Sequence, residues 1–390
     1  MIRGQAAGEA GRDGRRNVAV IFGGASQEHD VSVVSAQQLM DAADARRIRV
    51  IPVYMDFENR LFTGPRLRDV AAFRPRPGAL TEVRFNWGDE GPELRGKGLR
   101  VPVDCALPVF HGPFGEDGRI HGLLELIGVP VTGFSASASA IAMRKDATKT
   151  LVKSVGVNVL DHVAVNRRQR GNMGAVLDEV EAKLGLPVVV KPANLGSSIG
   201  VGLAKARADI PALVEYVLRQ DDLALIEPQV PDLVEYNIAM MWREGEVVFS
   251  AIEQPKSGAE LLDFREKYLS SGGTKGALPS EGMLSLTREV NPDLSADLKA
   301  RILDYSRRAF TILGQRGAPR IDFMCNRNTG ELWFNEINPI PGSYGFFLWE
   351  AAEVPLLYPE LIAHLVDETM RASVKRFDDP VPQDAWLLPR

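Results

Sequence analysis

The chain has 390 residues, 45% of them hydrophobic and 25% charged, with a formal net charge of −5. That length exceeds one ordinary core and predicts two or three domains of an ordinary soluble globular protein. The negative balance argues against a broad nucleic-acid surface while leaving room for a small anionic ligand, and the chain has no apolar run of about 18 residues that would predict a membrane span.

Residues 1–16 are rich in Gly, Ala and charge and have no apolar stretch, so they read as a disordered leader rather than a secretion signal, and the protein as cytoplasmic. Asn17-Val-Ala-Val-Ile-Phe22 is a short strand running into Gly23-Gly24, and Val31, Val34 and Leu39 give the helical spacing that follows. Two further strands lie at residues 49–54 and 104–110, the second ending at His111-Gly112. Strands that alternate with helices and stop at Gly-rich loops predict a parallel sheet with its ligand at the C-terminal edge. Residues 61–100, rich in Pro, Gly and Arg, read as an insertion or a small hairpin excursion. This N-terminal α/β unit is expected over residues 17–134.

A second unit, expected over residues 135–235, opens on one helix at 137–155 carrying Lys145, Thr148, Lys149 and Lys153. A buried strand at 186–192 ends in Lys191-Pro192. It is followed by a Gly/Ser loop at 194–200, a helix near 210–219 and a strand at 223–227. The third unit, 236–372, starts on a strand at 236–242. It also holds a hairpin: Arg320-Ile-Asp-Phe-Met324 and Glu331-Leu-Trp-Phe-Asn-Glu-Ile-Asn-Pro339, turned by Asn328-Thr-Gly330. Residues 267–282, with several glycines and no periodicity, predict a lid-like loop. Residues 373–390 read as a tail. Cys105 and Cys325 lie among apolar residues and predict buried, reduced thiols.

The hairpin carries the strongest chemistry. Glu336 and Asn338 are two apart and share a face, and Asp322 lies on the neighbouring strand. Apolar dressing on both strands places these oxygens at a buried edge. Two carboxylates there repel unless a cation sits between them, and carboxylates with an amide suit Mg²⁺ bridging the phosphates of ATP. Lys191 ends a buried strand, where a charge is costly without a counter-charge, and the Gly196-Ser197-Ser198 turn after it can aim backbone N–H groups at a phosphate. Lys145 and Lys267 are surface charges unless they converge with Lys191 on the same polyphosphate. Glu227 and Glu235 bracket a segment linking two lobes. There a purine would meet the main chain of Pro228 and Val230 and the ribose would meet Glu235; the alternative is plain strand-end carboxylates. Glu28 either favours the N-terminus of its helix or holds a substrate ammonium. The scattered histidines make zinc an unlikely ligand.

Taken in order, Gly23-Gly-Ala-Ser-Gln-Glu28, His111 to Gly118, Lys191 to Gly200, Glu266-Lys-Tyr-Leu269, Arg320-Ile-Asp322 and Asn335-Glu-Ile-Asn338 resemble the D-alanine–D-alanine ligase family of the ATP-grasp fold. The resemblance implies an ATP-dependent ligase that joins two amino acids through an acyl phosphate. Lys145, Lys191 and Lys267, with Ser197 and Ser198, would contact ATP phosphates; Glu227, Val230 and Glu235 would hold adenosine. Asp322, Glu336 and Asn338 would carry two Mg²⁺ ions, with Mn²⁺ as a substitute. Glu28 would anchor the first ammonium, linked through Ser197 to Tyr268, with His111 near the first carboxylate. Arg320 and the Gly342 N–H would stabilise the oxyanion. The resemblance also implies a homodimer acting on amino acids as small-molecule substrates; charge and the lack of an apolar run leave neither nucleic acid nor membrane as an expected partner.

Three departures from the family pattern stand out. Arg144 precedes Lys145 where the family usually has Asp. Glu227-Pro-Gln-Val230 replaces the usual Glu-Lys hinge. Phe347 and Leu348, flanked by Phe346 and Trp349, stand where a Ser-Leu pair usually binds the carboxylate of the second amino acid. The acceptor is therefore expected to be something other than D-alanine, either bulkier or lacking a free α-carboxylate. A peptide or amide synthetase outside cell-wall metabolism and a catalytically silent nucleotide-binding protein are the rival readings.

Overall fold

The computed structural model describes residues 14–73, 78–88, 91–196, 199–255, 288–314 and 316–372. Its strands form three sheets, of seven, four and five strands. In the first, β1 (Arg16–Gly23) pairs in parallel with β2 (Ile48–Met55) and with β7 (Cys105–Pro108), and α1 (His29–Ala42) makes the crossover. The parallel arrangement stops there. β3 (Leu61–Thr63), β4 (Thr81–Gly88), β5 (Gly91–Gly96) and β6 (Leu99–Pro102) extend the same sheet beyond β2 as an antiparallel meander. Residues 61–100 are thus part of the sheet and not an excursion from it. Their turn residues mark short hairpins, which need no crossover helix.

The expected single helix over 137–155 is two. Ser135 caps α2 (Ala136–Met143) through its Oγ, 3.3 Å from the Ala138 N–H. Arg144 then leaves helical geometry (φ −103°, ψ 99°), and α3 (Lys145–Ser154) starts afresh. No Gly or Pro announces this break. It is held by tertiary hydrogen bonding: the Lys145 N–H donates to Ala193 O at 3.0 Å.

The four-stranded sheet is antiparallel, in the order β10 (Gly202–Ala204), β9 (Val188–Pro192), β11 (Leu223–Pro228), β8 (Val163–Asn166). Valines and isoleucines from its strands pack on two helices, α4 (Met173–Lys183) and α5 (Ile210–Leu218). The five-stranded sheet runs β14 (Arg288–Val290), β13 (Glu246–Pro255), β12 (Leu233–Arg243), β15 (Arg320–Asn326), β16 (Leu332–Asn338), also antiparallel.

Strand β12 feeds two cores because successive side chains point to opposite faces. Ile238 and Met240 pack with Ile302, Ala309 and Phe310 of α6 (Ala296–Leu313). Ala239 and Met241 join Val33, Ala36 and Leu39 of α1, and also Leu361 and Leu365 of α8 (Tyr358–Arg371). This second core joins the first sheet to the third and fixes their relation. Gly317 (φ +73°) supports the same junction: a Cβ there would sit 2.7 Å from the Cα of Gly133. Both cysteines are buried and free, as their apolar surroundings predict. Among the described residues no helix is long and apolar enough to cross a membrane.

Candidate active site

The register of the five-stranded sheet lines up its polar side chains. Glu253 on β13 stands opposite Asn237 on β12, Asn237 opposite Asp322 on β15, and Asp322 opposite Glu336 on β16. Directly opposed residues share a face, so these four make one row across the sheet. Beside it, Arg320 stands opposite Asn338. The row opens into a cavity whose lining includes Asp322, Glu336, Asn338, Arg320, Lys145 and Lys191, together with Glu28, His111, Glu235 and Gly342.

Lysines from the four-stranded sheet and its neighbouring helix meet this row. Lys145 Nζ donates to Leu195 O (2.6 Å) and pairs with Glu336 Oε2 (3.0 Å). Lys191 Nζ donates to Asn335 Oδ1 (2.9 Å) and pairs with Glu227 Oε2 (2.8 Å). The counter-charge that a buried Lys191 demands is therefore Glu227. That carboxylate is buried and also pairs with Lys149, whose side chain is fully buried. Burial alone would raise Glu227, but the two ammoniums overcome it and hold the carboxyl at about 2. Lys149 moves the other way, pushed down to about 8 by burial and by the neighbouring Lys191, against the pull of Glu227. The side chain of Glu227 thus braces lysines, while the main chain of its segment stays free of this pairing. Lys149 was missed as a functional residue. The available signal was its spacing of four from Lys145, which puts both on one buried face of α3.

Each acid of the row already has a protein cation. Arg320 binds Asp322 through two hydrogen bonds, Nε to Oδ1 (2.6 Å) and Nη2 to Oδ2 (2.7 Å). Asn338 Nδ2 donates to Asp322 Oδ2 at 3.1 Å. Burial raises Asp322 although Arg320 opposes it; burial also pushes Glu336 up, but there Lys145 and Lys191 prevail and the carboxyl is lowered. Among the described residues no three His, Cys, Asp or Glu side chains come together as a metal centre. The donor set is two carboxylates and an amide, hard oxygen ligands of the kind a magnesium ion bound to phosphate needs, so the residues fit that role.

Glu28 lies at the start of α1 without capping it, and its buried side chain turns into the cavity. Gly112 and Gly196 make room for it: a Cβ on either would stand 3.0 or 3.6 Å from Glu28 Oε2. His111 is buried, 3.0 Å from Ser35 Oγ, and burial drops its imidazole to about 4, so it is neutral at physiological pH. Glu116 is a second missed residue in this loop. Its Oε2 accepts from the Gly112 N–H and its Oε1 from the Ile340 N–H, both at 3.0 Å, so one carboxyl ties the His111 loop to the segment leading to Gly342. Burial, with Glu28 nearby, raises it to about 8. Glu116→Gln keeps one acceptor oxygen for the two N–H donors and turns its own N–H groups on the other, so it is expected to lose about 1–3 kcal/mol, whereas Glu116→Ala leaves two buried N–H groups unpaired and costs about 1–3 kcal/mol for each. Thermal denaturation of both variants beside turnover checks this.

Val230 is buried outside the cavity lining, and Phe347 and Leu348 also stand outside it. Leu348 and Trp349 are core residues of the short helix α7 (Phe346–Glu350); the ring of Phe346 stacks on Tyr358, and that of Phe347 lies under Arg288. Ser197, Ser198, Lys267, Tyr268 and the lid-like loop lie outside the described residues.

A cavity with lysines on one antiparallel lobe and a row of acids on the other defines a nucleotide-dependent ligase of the ATP-grasp fold. Two family models match the chain: D-ala D-ala ligase N-terminus over residues 17–134 and D-ala D-ala ligase C-terminus over 151–367. It is 34% identical over 369 residues to the D-alanine–D-alanine ligase of Heliobacterium modesticaldum, covering 90% of this chain and 94% of that one. Against D-alanine–D-alanine ligase A of Bradyrhizobium diazoefficiens the identity is 33%, with the same coverage. The solved D-alanine–D-alanine ligase of Coxiella burnetii superposes with a TM-score of 0.74 at 25% identity, over 92% of this chain and 95% of that one. The VanG D-Ala:D-Ser ligase of Enterococcus faecalis shares the fold (TM-score 0.75, 23% identity, 91% and 99% covered). The chain belongs to the D-alanine–D-alanine ligase family, whose members are ATP-dependent, ADP-forming ligases.

Proposed function

We propose that the chain activates the carboxylate of one amino acid with ATP and joins it to the amine of a second. The observation that carries this reading is the meeting of Lys145 and Lys191 with Glu336 and Asn335 in one cavity, which brings phosphate-binding cations and the acid row to the same point. A carboxylate oxygen attacks the γ-phosphorus and ADP leaves. The amine then attacks the acyl carbon, phosphate departs, and the amine gives up a proton. Glu28 holds the first ammonium and neutral His111 donates to the first carboxylate. Arg320 and the Gly342 N–H take the tetrahedral oxyanion. The main chain of Pro228 and Val230 receives adenine and Glu235 the ribose.

Asp322, Glu336 and Asn338 would hold two divalent ions, Mg²⁺ or Mn²⁺, which neutralise charge on the transferring phosphoryl group. The chain's own residues do the rest: Glu227 and Asn335 brace Lys191, Leu195 O and Glu336 aim Lys145, and the loops around Gly112 and Gly196 keep the first substrate close to Glu28. We place the reaction in the cytoplasm, where ATP is supplied, with a homodimer as the working unit. The family's reaction supports a role in building peptidoglycan.

Phe347 supports an acceptor other than D-alanine, because it offers no hydroxyl at that position. The test is ADP release from purified protein against D- and L-amino acids, singly and in pairs, with product masses recorded. Amino-acid-dependent ADP release with a dipeptide mass is expected. Tight ATP binding without turnover across the whole panel would favour the silent nucleotide-binding reading, and D-alanine proving the best acceptor by a wide margin would overturn the acceptor assignment.

A further inference from the structure

The segment that follows β9 is gripped from two sides. β9 ends at Pro192, which has no N–H, and the chain leaves the sheet there, so its next polar groups need other partners. Lys145 supplies one side with both of its nitrogens. Its N–H donates to Ala193 O at 3.0 Å and its Nζ to Leu195 O at 2.6 Å. The turn between α5 and β11 supplies the other. Leu223 O accepts from the Ala193 N–H at 3.1 Å. Asp221 Oδ2 accepts from the Asn194 N–H and Asp221 Oδ1 from the Asn194 side-chain amide, both at 2.7 Å, and Asp222 Oδ1 takes the same amide at 3.2 Å.

Asp221 is buried and carries a third bond, from the Asp222 N–H to Oδ1 at 2.7 Å. A buried carboxylate with three N–H donors is a rigid anchor, since each bond is charge-assisted and little water competes for it. Arg144, one residue before Lys145, binds Asp146 (Nε to Oδ1, 3.0 Å) and lies in the field of Asp222 and Asp221, so the two acids of the turn have a cation near them. The anchor matters for what stands on its far side. An ammonium has three N–H donors. Lys145 gives one to Leu195 O and one to Glu336 Oε2 (3.0 Å), so the direction of the third is set by where those two acceptors stand. Glu336 is fixed by its strand. Leu195 lies on a loop, and its carbonyl is placed by the residue before it, Asn194.

We infer that Asp221, itself outside the cavity lining, is a positioning residue for the nucleotide: through Asn194 and Leu195 O it aims the remaining N–H of Lys145 at the phosphates of ATP. This rests on the ligase reading above and deepens it. A lysine side chain is long and flexible, so setting its direction before the nucleotide arrives removes an ordering cost from binding. The carboxylate that does so never meets the ligand.

The experiment measures ATP binding to the full-length protein by calorimetry, with Mg²⁺ and without amino acids, in four forms: wild type, Asp221→Asn, Lys145→Met and the double variant. Asp221→Asn keeps the size of the side chain but leaves one acceptor oxygen and turns an NH₂ group on the Asn194 donors. It is expected to raise the Kd for ATP roughly tenfold, the scale of one lost charge-assisted hydrogen bond. With Lys145 already Met it should raise Kd by less than about twofold, because residues of one network do not add. Asn194→Ala is milder, keeping the backbone bond to Asp221. It should raise Kd by a smaller factor, again only while Lys145 is present, and it carries the test if Asp221→Asn does not fold. Equal weakening in both backgrounds is the mark of a merely structural role. That result, or an Asp221→Asn protein with wild-type affinity, overturns the inference while the ligase reading stands. Lys145→Met binding ATP as the wild type does would take Lys145 off the phosphates and overturn the inference together with that part of the ligase reading; the ligase reading as a whole falls only on the absence of amino-acid-dependent ADP release.

Discussion

Glu227→Ala is expected to lower stability by about 3–5 kcal/mol, because it leaves the ammoniums of Lys149 and Lys191 facing each other with no anion between them. The loss should appear in denaturant or thermal unfolding of the lobe that carries the four-stranded sheet, and ATP affinity should fall with it, since Lys191 loses one of its two holders. Glu227→Gln should fall between the wild type and the Ala variant, keeping the shape without the charge. The pH dependence gives an independent check. The folded carboxyl sits near 2 against an ordinary 4.5, so its contribution is present in full above about 4.5 and fades as the pH falls towards 2. The acid limb of the wild-type stability curve should therefore be steeper than that of the Ala variant over this window. Identical acid limbs and identical midpoints would remove the ion triad from any structural role.

The second large effect is on chemistry. Asp322→Asn and Glu336→Gln keep size and fold, yet each is expected to reduce turnover by roughly a hundredfold to a thousandfold, the scale of losing an electrostatic partner of the transition state. Each change also leaves a protein cation short of its anion, Arg320 in the first case and Lys145 in the second. Chelating divalent ions should abolish amino-acid-dependent ADP release by the wild type. Nucleotide affinity measured with and without Mg²⁺ should differ strongly in the wild type and little in either variant. If both variants turn over normally, the acids of the hairpin are not a metal site.

The hairpin was readable because its evidence is local. Alternating apolar residues and an Asn-Thr-Gly turn set its register, and register put Asp322 across from Glu336. The demand of Lys191 for a counter-charge was also readable from its buried strand, but the identity of the partner was not. Glu227 lies 36 residues away and meets Lys191 only because β9 and β11 are neighbours. The same limit hid the break at Arg144, which answers to the carbonyl of Ala193, just past the end of β9, rather than to any helix-breaking residue. It hid Glu116 and Asp221 as well: their partners, Ile340 and Asn194, are distant in the chain, and loop composition gives no sign of them. Composition misled at residues 61–100, since the residues that turn short hairpins are those that also fill irregular insertions.

The polar row has a durable middle and fragile ends. Asp322 and Asn237 are set by the backbone ladder of central strands, so a change there disturbs every neighbour. Arg288, which pairs with Glu253 at one end of the row, and Phe347 beneath it ride on a three-residue edge strand and a five-residue helix. A substitution at this margin therefore disturbs few backbone partners, whereas one in the middle is felt across the whole sheet.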